Sequence, residues 1–266
     1  MRLHISETAI SKPRNPGCNM TDTYNNFVSW AWQRKHELTE IILKRCNHTV
    51  WAGPFQGMKI LPQAQWGDGD LVGKVLGLYE CELFASIQQA WDLQPQAIVN
   101  IGCADGYYGI GLARQLPVPL LLVDTDTKSL DIARQNAQAN RVSQVTYTDN
   151  SSTGFLSRWL QPYQNAVIFM DCEGCEKNIL DMQKLPQLEN CIIIVESHDV
   201  WLPGITSELM SRFQKTHQID VISQGAKNPY LDITFDFSDF DKVLLCCEGR
   251  PQTATWLFMK PWALVK

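Results

Sequence analysis

The chain has 266 residues, 45% hydrophobic and 19% charged, a balance that excludes disordered and fibrous classes. Its net charge is −5 and its basic residues are scattered, which argues against a nucleic-acid backbone as partner. No run reaches the roughly 20 apolar residues of a membrane span, and the start MRLHISETAISKPRNPGCN lacks a secretory apolar core. The expectation is therefore a cytoplasmic protein with neither membrane nor nucleic acid as partner.

Residues 1–25, with Pro13, Pro16 and Gly17, read as a loop-rich start. Phe27, Trp30, Ile41 and Leu43, spaced among charges, predict an amphipathic helix over 26–46. A turn-rich passage with a short strand at Met58–Leu61 follows. Helical periodicity returns over 73–91 through Leu76, Tyr79, Leu83, Phe84 and Ile87. Residues 1–94 are thus read as a mainly helical accessory or cap region, and 95–266 as the catalytic domain.

From residue 96, apolar strands alternate with helices. AIVNIG, PLLLVD, QVTYTD, AVIFMD and CIIIVES are the strands; helices are predicted at 107–116, 128–139, 155–160 and 176–184. Strands that are apolar throughout and separated by helices require a parallel sheet covered on both faces. That pattern predicts a doubly wound, Rossmann-like α/β domain. A helix at 204–215, a strand at Ile219–Ser223, a short helix at 239–247 and a last strand, ATWLFMK, complete the chain, and the last strand is expected to pair antiparallel.

The stretch IVNIGCADGYYG is a strand, a glycine turn and a helix start. Such turns let backbone approach a ligand, and the helix N-terminus favours anionic groups. The dinucleotide fingerprint needs glycine at its first, third and sixth places, but these hold Gly102, Ala104 and Tyr107. Gly102, Gly106 and Gly109 instead have the spacing found in S-adenosylmethionine-dependent methyltransferases. Asp124, 18 residues after Gly106, ends the next strand, where a carboxylate can accept bonds from both ribose hydroxyls. Asp126 is the fallback for that role, though it or Thr127 also suits a helix cap. Asp149 and Asn150 fit an adenine contact or an ordinary turn equally well.

At this point a family resemblance becomes specific. VNIGCADGYYG resembles the glycine loop of the FkbM-type methyltransferases, FMDCEGCEKNIL their fourth-strand segment, and CIIIVESHD their fifth strand, together covering about residues 95–200. The resemblance implies a class I methyltransferase fold of seven mostly parallel strands, with S-adenosyl-L-methionine as cofactor and a hydroxyl of a small molecule or carbohydrate as acceptor. Carried over by position, it implies that Gly102 and Gly106 line the cofactor and Asp124 holds its ribose; Asn100, Cys103, Ala104, Tyr107, Thr125, Asp149, Asn150 and Asp171 are the further candidate cofactor contacts. Asp171 and Glu173 would stand at the methyl-transfer end. Asn100 is a departure, since many methyltransferases carry an acid there; asparagine can still orient the loop.

A hydroxyl acceptor benefits from a base, and His198 is the preferred candidate, with Asp171 or Glu173 orienting it. His4, His36, His48 and His217 lack comparable context. Glu196 suits a helix partner as well as a functional role. No metal site is assigned, although Asp171, Glu173 and His198 offer donors that Mg2+ could use. Tyr79 and Glu80 are candidate lid residues, with core packing the plainer reading for Tyr79. Trp51, Trp66 and Trp201 fit either acceptor stacking or packing. Alternatives are an inactive binding protein on the same fold, a nicotinamide-dependent oxidoreductase, and a zinc or redox site using Cys172, Cys175, Cys246 and Cys247. Nine cysteines in a chain of this size are expected to be mostly reduced, with the 172/175 pair packing inward.

Overall fold

The computed structural model of the protein describes residues 20–62, 70–250 and 253–265. His4, Trp66 and most of the predicted loop-rich start lie outside them. Seven strands form one sheet: β1 (Ile98–Ile101), β2 (Leu120–Val123), β3 (Val145–Thr148), β4 (Val167–Met170), β5 (Ile192–Glu196), β6 (His217–Ser223) and β7 (Thr255–Pro261). Their order is β3-β2-β1-β4-β5-β7-β6. Only β7 runs against its neighbours, pairing antiparallel with both β5 and β6. This is the Rossmann-like class I methyltransferase fold that the sequence predicts, antiparallel last strand included.

Each central strand is apolar on both sides because each side meets a different layer. Ile98, Leu120, Leu122, Val167, Phe169, Ile192 and Ile194 join one core, beside α4 (Tyr107–Gln115) and α5 (Thr127–Ala139). Val99, Ile101, Leu121, Ile168, Met170, Ile193 and Val195 join the other, beside α6 (Thr153–Leu160), α7 (Glu176–Ile179) and α8 (Ile205–Phe213). The period-two alternation of a strand therefore decides which layer a side chain faces. Phe169 shows the density of the first core: its ring stacks on Tyr108 at 3.9 Å and meets Trp256 at 5.2 Å.

Helices α1 (Met20–Arg45), α2 (Asp70–Leu76) and α3 (Phe84–Asp92) precede the sheet and share its first core through Leu38, Ile42, Leu71, Val75 and Ile87. Arg34 clasps the Asp241 carboxylate of α9 (Asp239–Cys246) with two bonds of 2.9 Å, tying the start of the fold to its end.

Three local expectations are corrected. The helical stretch over 73–91 is broken between α2 and α3. Gly77 turns there at φ +71°, where a Cβ would stand 2.2 Å from the Ala52 carbonyl oxygen, and Glu80 adopts φ +46°. The strand at Met58–Leu61 is only a single bridge between Thr49 and Lys59, flanked by the Val50 amide on the Met58 carbonyl and the Ile60 amide on the His48 carbonyl. The helix expected over 176–184 ends at Ile179, after four residues.

Candidate active site

The glycine loop is pinned between two strand ends. Amides of Gly102 and Cys103 donate to the Val123 carbonyl at 2.9 and 3.0 Å, and the Asp171 amide donates to the Ile101 carbonyl at 3.0 Å. Gly102 sits at φ +71°, and a Cβ there would stand 1.7 Å from the Asp171 carbonyl oxygen. No side chain fits, so glycine is what lets the loop lie against the end of β4. Asn100 takes its place one layer below. Buried at 2% exposure, its Oδ1 accepts from the Gly109 amide at 3.0 Å and its Nδ2 donates to the Phe169 carbonyl at 3.4 Å. It orients the loop and α4, the role left to asparagine when the common acid is absent.

Asp124 ends β2 with both carboxylate oxygens engaged by backbone. Oδ2 accepts from the Ala104 amide at 2.8 Å and Oδ1 from the Asp126 amide at 2.9 Å. Each oxygen keeps lone-pair capacity for a further donor. Asp126 caps α5, accepting from the Lys128 amide at 3.0 Å and the Ser129 hydroxyl at 2.9 Å. That leaves Asp124 as the better-placed acceptor for a ligand. A cleft of about 540 Å³ opens here, lined among others by Gly102, Asp124, Ser129, Ser151, Asp171 and Glu173.

On the far side of Asp171 lies a group of charges. Parallel register sets Met170 beside Val195, so Asp171 and Glu196, one step further along, end adjacent strands together. His198, two residues on, bonds through Nδ1 to the fully buried Glu176, and its Nε2 lies 3.4 Å from Asp171 Oδ1 and 3.9 Å from Glu196 Oε2. Burial alone would lower the histidine pKa. Hydrogen bonds to Asp171 and Glu176, with the charge of Glu196, outweigh it and carry it up to about 10. His198 is therefore an imidazolium near neutrality.

Behind this group, Arg250 bridges three carboxylates: Glu196 at 2.8 Å, Glu248 at 3.0 Å and Glu80. Glu80 also accepts from the Tyr108 hydroxyl. Burial raises the Glu80 carboxyl to about 7 against the pull of Arg250. Burial, with Asp171 and Glu80 nearby, raises Glu196 to about 9 against Arg250 and His198. Next to it is a second buried cluster, where Lys74 meets Asp70 at 2.5 Å and Asp105 at 2.9 Å. That cluster borders a small cavity of about 40 Å³ also lined by Tyr79, Asn100, Gly102 and Asp171.

The sequence candidates thus divide. The large cleft brings together Gly102, Asp124, Thr125, Asp171 and Glu173. The small cavity gathers Asn100, Gly102, Cys103, Ala104, Tyr107 and Asp171. Gly106, at φ +81°, lines neither and serves the turn into α4. Asp149 and Asn150 are exposed; Asn150 accepts from the Ser152 amide in a turn, and Ser151 faces the cleft instead. Trp51 and Trp201 are each about half exposed. Glu80 is buried under Arg250, and Tyr79 reaches the cavity wall. Glu173 stays on the cleft side, so Glu196 takes the place beside His198 that the sequence reading gave to Glu173.

The cysteines require a correction. Cys172 and Cys175 are joined as a disulfide, not reduced, and both line the large cleft. The turn between them, with Glu173 at φ +50° and Gly174 at φ +114°, brings their Cα atoms to 5.7 Å, within disulfide reach. Thiolate ligation by this pair is thereby removed in the bonded state. Among the described residues Cys46, Cys81, Cys103, Cys191, Cys246 and Cys247 are free. No described helix is long and apolar enough to cross a membrane.

No family model matches the chain, and neither does any curated protein. Solved structures do resemble it. The precorrin-6y C5,15-methyltransferase of Geobacter metallireducens GS-15 matches with a TM-score of 0.48 at 10% identity, over 69% of this chain and 88% of that one. An O-methyltransferase from Bacillus cereus in complex with SAH gives 0.46 at 13%, over 86% and 91%. An rRNA methylase from Streptococcus thermophilus gives 0.47 at 9%, over 68% and 96%. At scores below 0.5 these likenesses add nothing to the topology already described.

Proposed function

We propose that the protein is an S-adenosylmethionine-dependent methyltransferase acting on a hydroxyl of a small molecule or carbohydrate. The observation that carries this reading is Asp124: a carboxylate locked to the glycine loop by the Ala104 amide, facing a cleft whose other end is Asp171. The residues present fit the cofactor. Asp124 has acceptor capacity for a ribose diol, Ser129 and Ser151 add hydroxyls, and the turn at Gly102 admits a ligand close to backbone.

When bound, S-adenosylmethionine supplies an electrophilic methyl group: a carbon–oxygen bond forms, the carbon–sulfur bond breaks, and sulfur keeps the electron pair as a neutral thioether. The chain's own residues align and protect that exchange. Asp171 borders both the cleft and the charged group, so its negative charge favours a cationic methyl donor on one side and an acceptor hydroxyl on the other. Because His198 holds its proton near neutrality, Asp171 receives the hydroxyl proton in this reading and His198 orients it.

Calorimetry with S-adenosylhomocysteine tests the reading. One-to-one binding is expected, weakened at least ~10-fold in Asp124→Asn, which removes a charged acceptor. Absence of binding at high micromolar ligand would overturn it.

A further inference from the structure

Three donors converge at the ends of β4 and β5. Asp171, Glu196 and His198 each offer one ligand atom, and these atoms all lie within 4.8 Å of one another. Donors around a divalent ion at about 2.1 Å stand about 3.0–3.4 Å apart. The Nε2 of His198, 3.4 Å from the Asp171 carboxylate and 3.9 Å from that of Glu196, is close to that spacing; the first is a long hydrogen bond and the second is beyond one.

The surroundings of His198 point the same way. Its other nitrogen is held by Glu176, whose carboxylate is fully shielded from solvent. This is the carboxylate–histidine arrangement that aims the second ring nitrogen at an ion. The remaining oxygen of Glu176, Oε2, is buried with no hydrogen-bond partner among the described residues. An acidic group of this kind, with Glu80 also near, concentrates negative charge, which Arg250 and His198 answer in part. Arg250 occupies Oε1 of Glu196, and the oxygen that faces His198 is Oε2.

We propose that Asp171, Glu196 and His198 form a binding site for one divalent cation of the Mn2+ type, with Glu176 as the outer carboxylate that positions His198. Two carboxylates and one imidazole suit a borderline-hard ion and leave coordination positions open. Binding of the ion displaces to solvent the Nε2 proton that His198 holds in the metal-free site, while Nδ1–H stays on Glu176, and it does not depend on methyl transfer. Its use does rest on that reading: a hydroxyl coordinated beside Asp171 would lose its proton more readily, so that an imidazole already committed as a ligand is not needed as base.

The test uses the full chain, stripped with chelator and titrated with MnCl2 alone, followed by calorimetry and by electron paramagnetic resonance. One Mn2+ per chain is expected, with spin-echo modulation from an imidazole nitrogen. His198→Ala should abolish that nitrogen signal, and Glu176→Gln should weaken binding by about 10-fold or more. Glu196→Gln should weaken it too, while retained S-adenosylhomocysteine binding reports that each variant is folded. Failure of wild-type protein to bind Mn2+ at millimolar concentration, or bound Mn2+ without nitrogen coupling, would overturn the proposal. Either result leaves the methyl-transfer reading standing, because that reading is judged by S-adenosylhomocysteine binding. Loss of the latter with Mn2+ binding intact would sink the methyl-transfer reading and keep the ion site.

Discussion

The two ends of the site are built differently. At the Asp124 end, a carboxylate is held by backbone amides of the loop and of its own turn, all within residues 102–126. At the Asp171 end, Glu80, Glu176, the Glu196–His198 segment and Arg250 come from four separate parts of the chain and are held by side-chain charge. Backbone-held groups give a fixed acceptor for a recurring ligand. A side-chain charge network leaves room to change which acceptor is bound, and it rests on a few keystones.

Arg250 is the first keystone to remove. Arg250→Met leaves Glu80, Glu196 and Glu248 buried without their shared cation, and breaking a buried pair from one side costs about 3–5 kcal/mol. Urea unfolding is expected to show that loss. A change below about 1 kcal/mol, the size seen for exposed ion pairs, would mean the network is not structurally important. At the other end, Asp124→Asn sets an amide donor against one of the two backbone amides that the carboxylate accepts, so it should cost about 1–2 kcal/mol in the same assay, less than Arg250→Met, and lower S-adenosylhomocysteine affinity by about 1.5–3 kcal/mol, the range for a hydrogen bond to a charged group. Equal effects of both variants on stability would erase the contrast between the two ends.

Between them lies the disulfide, on the wall of the cleft. The double variant Cys172→Ser/Cys175→Ser opens a four-residue loop, for which chain entropy gives about 2 kcal/mol. Thermal unfolding should register this, and S-adenosylhomocysteine affinity should fall with it if the bridge shapes the turn carrying Glu173. Unchanged affinity would assign the bridge to stability alone.

The same contrast explains what the sequence disclosed. The Asp124 end was legible because its parts follow each other in order: strand, glycine turn, helix, strand and acid. The doubly wound sheet was legible for a similar reason, since apolar strands and helices alternate at short range. The Asp171 end was not. Asp171 and His198 could be paired from strand order, but Glu196 looked equally like a helix partner, and nothing in FMDCEGCEKNIL singles out Glu176. Nothing local connects Glu80, in a left-handed turn before the sheet, to Arg250 beyond α9. The break at Gly77 was missed because apolar spacing continues across it, while the close approach of Ala52 that forces the turn is a long-range contact.

A slope with pH belongs to the Asp171 end alone. His198 rises from an ordinary value of 6.5 to about 10 in the folded chain, and Glu196 from 4.5 to about 9. Both groups bind a proton more tightly folded than unfolded. The stability each contributes is thus complete below its unfolded value and is lost as pH rises towards its folded one. Between about pH 6.5 and 9 the two losses coincide, each at most about 1.4 kcal/mol per pH unit. Chelator-treated protein should therefore melt at progressively lower temperature as pH rises through this window. His198→Gln removes one of the two protons while keeping a polar side chain, so its melting temperature should decline less steeply over the same range. If wild type and variant lose stability in parallel, His198 does not hold its proton in the folded chain, and an imidazolium between Asp171 and Glu176 is the wrong description of the metal-free site.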